Sequence, residues 1–113
     1  MHTLRGWIFY LWFSITLIPA ATTVLLLWPF ASAEFRYNKV ALVWCRLMVN
    51  SLRAICGVQY RVIGLENLPK SSEVPVVVLS KHQSAWETLF LPLILGNPAG
   101  FVYKKSLHMI PFF

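Results

Sequence analysis

The chain has 113 residues, of which 58% are hydrophobic and only 12% are charged, a composition too apolar for an ordinary soluble domain. Its net charge of +6, combined with five Trp and four Tyr, instead predicts binding to an anionic membrane surface or to an anionic substrate. No dense run of Lys and Arg and no nucleic-acid motif accompanies this charge, so nucleic acid is excluded as the expected partner.

Residues 7–33 form an uncharged, aromatic-rich run that is longer than the roughly 20 residues needed to span a bilayer. Pro19 lies in the middle of this run and removes one backbone hydrogen bond, so the sequence leaves open a kinked spanning helix and a re-entrant hairpin. Although Ala31-Ser32-Ala33 is similar to a signal-peptide cleavage site, the run is too long and too aromatic for a signal peptide. Since positive residues are in excess after the run, that side faces the cytoplasm if the segment spans.

Residues 35–56 are predicted to form a second helix that ends at Gly57. Its polar side chains fall within about 100° of arc at 3.6 residues per turn. They belong to Arg36, Lys39, Arg46, Asn50 and Arg53. The rest of the surface is apolar, which favours a helix lying in the membrane over one that packs on the first helix with a solvated stripe. On one helix, Cys45 and Cys56 would be about 16 Å apart, which is too far for a disulfide. They are interpreted as helix-packing residues, consistent with a protein in a reducing compartment.

From Val58 onward the hydrophobic period changes from that of a helix to that of strands. Residues 58–62 alternate like a half-buried strand, residues 74–79 form a wholly apolar strand, and residues 101–103 form a third. A helix over about residues 85–95, stopped by Gly96-Asn97-Pro98, separates the last two. This order is typical of an α/β domain. The predicted fold is therefore α/β, with apolar membrane helices in residues 1–57 and the opening strands and helix of an incomplete α/β domain in residues 58–113.

His82 and Glu87 flank the predicted junction between the second strand and the helix. Five residues of an ideal helix turn through about 500°, which leaves their side chains about 140° apart around the axis. The two side chains therefore meet only if His82 lies before the helix and Glu87 in its first turn. Ser84, three residues before Glu87, supplies such a start as the N-cap of a capping box. The carboxylate would then orient the imidazole, which could take a proton from a hydroxyl. The alternative is that Glu87 only caps the helix and His82 is a polar loop residue.

The residues around this pair form a longer sequence motif. Residues 82–87 (His-Gln-Ser-Ala-Trp-Glu), following a Val-rich run, resemble the first motif of the glycerolipid acyltransferases, in which Asp is usual where Glu87 stands. Residues 64–69 (Gly-Leu-Glu-Asn-Leu-Pro) are similar to that family's lead-in, and residues 101–112 are similar to its following Lys-x-x-Leu-x-x-x-Pro segment. The resemblance covers residues 58–113, with three segments in the family's order.

The resemblance implies an activity. The family includes enzymes that move an acyl group from acyl-CoA or acyl carrier protein to the free hydroxyl of 1-acyl-glycerol-3-phosphate, forming phosphatidic acid in phospholipid biosynthesis. It implies His82 as the general base and Glu87 as its orienting partner, with no cofactor and no metal. It also implies later motifs that this sequence lacks, so the chain is expected to be an N-terminal fragment that is inactive alone.

Membrane lipid and lysophosphatidic acid are therefore the expected partners, and the bacterial inner membrane, with the catalytic part facing the cytoplasm, is the expected location. Lys81, Lys104 and Lys105 are the remaining candidates for binding a phosphate, although a lysine in such a position is more often simply exposed to solvent. His2 and His108 have no carboxylate nearby in sequence and are interpreted as structural. A different class stays open, namely a small non-enzymatic membrane protein that anchors or regulates a partner.

Overall fold

The computed structural model describes residues 2–68, 75–81, 83–95, 100–102 and 104–106. The first helix, α1, is His2–Leu26. The chain is then helical without a break over residues 33–56, here called the middle helical segment. It comprises α2 (Ala33–Arg36), a π-helical turn (Tyr37–Ala41), α3 (Leu42–Ser51) and a second π-helical turn (Leu52–Cys56). A 3₁₀ turn follows at Leu65–Asn67, and the last described helix, α4, is Trp86–Leu95.

Helix α1 and the middle helical segment form an antiparallel hairpin. The indole Nε1 of Trp12 donates a hydrogen bond to Ser51 Oγ at 3.0 Å, and Trp44 Nε1 donates to Thr16 Oγ1 at 3.2 Å. Because higher numbers on α1 pair with lower numbers on its partner, the helices run in opposite directions. The prediction of a second helix ending at Gly57 is confirmed, since Gly57 adopts the left-handed conformation (φ 73°) that commonly terminates helices.

The chain reverses direction at residues 27–32 and not at Pro19. Helix α1 continues through Pro19, whose carbonyl oxygen accepts a hydrogen bond from Thr23 Oγ1 at 2.7 Å. The other hydroxyls of α1 with such bonds likewise donate to carbonyl oxygens four residues earlier, and they belong to Ser14, Thr16 and Thr22. These polar groups are thus satisfied within the helix, as an apolar surrounding requires. Within the described residues, α1 is the one helix long and apolar enough to cross a membrane, by length and composition.

A small apolar core joins α4 to the hairpin. Its buried side chains come from two helices, α3 and α4, and they are Cys45, Met48, Val49, Leu89 and Phe90. Phe13 of α1 packs against this core from the opposite side and contacts Trp44 edge-on, with 5.2 Å between the ring centroids. Helix α3 therefore lies between α1 and α4 and contacts both.

Met48 is the fully buried side chain at the centre of this arrangement, so its truncation tests the packing. We expect Met48→Ala to lower the free energy of unfolding in detergent micelles by about 2–5 kcal/mol, the usual cost of a cavity in a core. Leu47→Ala is the matched control, because the neighbouring Leu47 side chain is 42% exposed. Equal losses for the two variants would contradict the described position of α3.

The predicted α/β fold is wrong for the described residues, which contain no strand. Residues 58–64 and 75–81 form neither a helix nor a ladder with each other, and the side chains of Val77 and Leu79 are 85% and 92% exposed instead of buried. A strand exists only when its backbone groups pair with a neighbour. The alternating pattern indicates which side chains would share a face, but it does not supply that neighbour. Val74, Tyr103 and the stop at residues 96–98 lie outside the described residues.

Candidate active site

The start of α4 is built by a reciprocal set of hydrogen bonds. The carboxylate of Glu87 accepts one from the backbone N–H of Gln83 through Oε1 at 3.0 Å and one from the N–H of Ser84 through Oε2 at 3.2 Å. In return, Ser84 Oγ accepts a hydrogen bond from the N–H of Trp86 at 3.2 Å. This is the predicted capping box, with Ser84 as N-cap and Glu87 in the first turn. Ser84 Oγ therefore has a structural role as the N-cap of α4.

The same bonds fix the carboxylate at the chain segment that carries the motif. Glu87 Oε1 lies 3.0 Å from the amide nitrogen of Gln83, which is covalently bonded to His82. His82 itself lies outside the described residues, so its pairing with Glu87 stays a prediction. A carboxylate held here is positioned at the N-terminal end of a helix, where the helix dipole favours its negative charge.

An aromatic cluster beside the cap was not predicted from the sequence. The rings of Trp86 and Phe90 stack at 4.4 Å between centroids, and Tyr60 lies 4.5 Å from Phe90 and 5.9 Å from Trp86. The cluster attaches the non-helical segment after Gly57 to the first turns of α4. The sequence does indicate two of its three members, since Trp86 and Phe90 are four residues apart and share a helix face. Nothing local indicates that Tyr60 joins them.

The other candidate residues are not brought together. Lys81, Lys104 and Lys105 are exposed, and His108 lies outside the described residues. Among the residues that the structure describes, no three His, Cys, Asp or Glu side chains group as metal ligands. Burial raises the pKa of the Cys45 thiol, which keeps it protonated and a poor nucleophile.

Comparison with known proteins confirms the resemblance to glycerolipid acyltransferases, now along the whole chain. One curated relative is a 1-acyl-sn-glycerol-3-phosphate acyltransferase of Pseudomonas aeruginosa, 38% identical over 113 residues, which are all of this chain and 42% of the relative. A second is a 1-acyl-sn-glycerol-3-phosphate acyltransferase of Chlamydomonas reinhardtii, 30% identical over 112 residues, which are 96% of this chain and 32% of the relative. The chain thus spans less than half the length of these relatives. No family model and no solved structure matches it.

Proposed function

We propose that the full-length protein transfers an acyl group from an acyl thioester to the free hydroxyl of 1-acyl-glycerol-3-phosphate, forming phosphatidic acid in phospholipid biosynthesis. The observation that carries this proposal is the similarity of the entire chain to two proteins named for that substrate. The capping box supports it, because a carboxylate is held at the segment where the His82 motif enters α4.

The proposed mechanism uses His82 as a general base. Its neutral imidazole removes the proton from the glycerol hydroxyl while that oxygen attacks the thioester carbonyl carbon. The tetrahedral intermediate then collapses by breaking the carbon–sulfur bond, and the imidazolium returns the proton to the leaving thiolate. Glu87 stabilises the positive imidazolium between these steps and holds the ring orientation. Acyl-CoA and acyl carrier protein both present the required thioester, and the direct attack needs no acyl-enzyme.

The proposal is tested by incubating the purified full-length protein with 1-acyl-glycerol-3-phosphate and oleoyl-CoA or oleoyl-acyl carrier protein. We expect phosphatidic acid and one free thiol per product molecule, with no product in a matched preparation that lacks the protein. A protein that folds and binds vesicles yet forms no phosphatidic acid with either donor would instead favour the non-enzymatic membrane anchor.

We propose further that the hairpin lies in the plane of the membrane surface and does not span the bilayer. Three cations of the middle helical segment, Lys39, Arg46 and Arg53, follow each other at intervals of seven residues, or about 10 Å along the axis. If this segment crossed the bilayer, the three cations would lie at three different depths. Each charge near the bilayer centre would then raise the free energy of insertion by about 2.5–3.5 kcal/mol. All three are exposed, and an in-plane helix keeps them at the depth of the lipid phosphates.

The hairpin contacts extend this orientation to α1. The bonds from Trp12 to Ser51 and from Trp44 to Thr16 attach α1 side by side to the middle helical segment, so α1 lies in the same plane. Exposed apolar side chains of α1 supply the surface that enters the lipid, including Trp7, Leu11, Ile15 and Ile18. The membrane is proposed to be the bacterial inner membrane, with α4 on its cytoplasmic side.

Cysteine labelling distinguishes an in-plane from a spanning hairpin. We expect Glu34→Cys, next to the hairpin turn, and Ser106→Cys to react with a membrane-impermeant maleimide from the cytoplasmic side only, both in a Cys56→Ser background. Both positions are exposed, and Cys45 is buried and serves as an internal blank. Labelling of Glu34→Cys from the periplasmic side would show that the hairpin crosses the bilayer and would contradict the proposal.

A further inference from the structure

A groove of about 410 Å³ lies between α3, residues 60–65 and α4. This volume is within the range of about 300–1,000 Å³ that is typical of small-molecule sites. Apolar side chains form most of its walls, and they include Val62, Leu65, Phe90, Leu93 and Ile94. Two polar groups of α3 line it as well, the guanidinium of Arg46 and the side-chain amide of Asn50.

The two polar groups form a donor pair at one edge of the groove. Arg46 and Asn50 are four residues apart on α3, so their side chains are neighbours on one helix face. Within the described part of the chain, neither side chain makes a hydrogen bond or an ion pair, and both residues are exposed. An unpaired guanidinium binds phosphate oxygens in a bidentate manner, and the neighbouring amide can donate a further bond.

From this geometry we propose that the groove binds one acyl chain of an anionic membrane phospholipid, whose phosphate is held by Arg46 and Asn50. The charge of the donor pair selects an anionic headgroup, and the apolar walls select a hydrocarbon chain. The hairpin that carries Arg46 lies at the membrane surface under the proposed orientation, where such lipids are the abundant ligands with both features. The α4 residues that line the groove lie three to seven positions beyond Glu87, so the experiment includes the substrate, 1-acyl-glycerol-3-phosphate, as a competing occupant.

The experiment uses full-length protein in vesicles of equal phosphatidylcholine and phosphatidylglycerol, with a trace of phosphatidylglycerol that carries a photoreactive group in one acyl chain. We expect crosslinks to peptides containing residues 60–65 and 90–94. Arg46→Gln should reduce their yield about tenfold, because a charge-assisted bond is lost. Arg53→Gln, which removes a charge from the same stripe outside the groove, should change the yield per vesicle-bound protein less than twofold. Equal losses of crosslinking yield in these two variants would show that general surface charge, and not the groove, governs crosslinking, and would overturn the proposal.

A second pair of variants tests the groove itself. Val62→Trp should block chain entry and abolish the crosslinks, whereas Ile63→Trp should leave them unchanged, because Ile63 is 83% exposed and does not line the groove. Both side chains are exposed, so neither change removes core packing. Unchanged crosslinking in Val62→Trp would place the lipid elsewhere and overturn the proposal. Complete displacement of the probe by 1-acyl-glycerol-3-phosphate, but not by excess phosphatidylglycerol, would identify the substrate as the occupant and would overturn it too.

Discussion

Replacing Glu87 with Gln is expected to lower the kcat/KM of acyl transfer by the full-length protein by about 10²-fold or more, within the 10²–10⁴-fold range of general base catalysis. The physical reason is that an amide cannot stabilise the imidazolium that the proposed mechanism forms at His82 in the transition state. Helix α4 should persist, because Gln retains one of the two oxygens that accept from Gln83 and Ser84. The loss of the other bond should cost about 1 kcal/mol of stability. Initial rates of phosphatidic acid formation and thermal unfolding measure the two effects.

Two variants separate the carboxylate's chemistry from its cap. Glu87→Asp keeps the charge and supplies the acid usual in the acyltransferase motif, so it should retain far more activity than Glu87→Gln. Glu34→Gln removes an exposed carboxylate from α2, outside the segments that resemble the family's motifs, and should leave the rate unchanged. A Glu87→Gln protein with near-normal rates would show that this side chain only caps α4, and His82 would then need another partner.

Features that depend on residues close in sequence were predicted well. The end of the middle helical segment at Gly57 follows from the one residue type that adopts a left-handed conformation without strain. The capping box follows from Ser84 and Glu87, which are three residues apart and therefore meet whenever a helix begins there. The site residue on α4 was thus positioned correctly relative to its own helix, whereas its relation to His82 stays a prediction.

Features that depend on distant residues were not predictable in the same way. The prediction of strands was wrong because a strand needs a partner elsewhere in the chain to pair with. The alternation of Val58, Tyr60 and Val62 does not identify such a partner. Instead Tyr60 contacts Trp86 and Phe90 of α4, across about 26 to 30 positions of sequence. The packing of α4 on α3 is of the same kind, because any apolar helix face could have covered Met48.

Replacing Lys39, Arg46 and Arg53 together with Gln is expected to weaken binding to vesicles containing anionic phospholipid by roughly 100-fold. Each cation near an anionic surface contributes about 1 kcal/mol, and three contribute about 3 kcal/mol if all lie at the same depth. That condition holds only for a helix parallel to the surface. Sedimentation of vesicles with graded phosphatidylglycerol content measures the partition coefficient, and the difference between variant and parent should shrink as salt rises.

The control removes the same number of charges elsewhere. Arg61, Lys104 and Lys105 are exposed and lie outside the hairpin, so their joint replacement by Gln keeps the net charge equal to that of the hairpin variant. Its binding should fall by much less, and both variants should bind neutral phosphatidylcholine vesicles as the parent does, because the apolar face of α1 is unchanged. Equal losses in the two variants would mean that net charge alone governs binding. The row of cations on the middle helical segment would then give no reason to orient the hairpin parallel to the membrane.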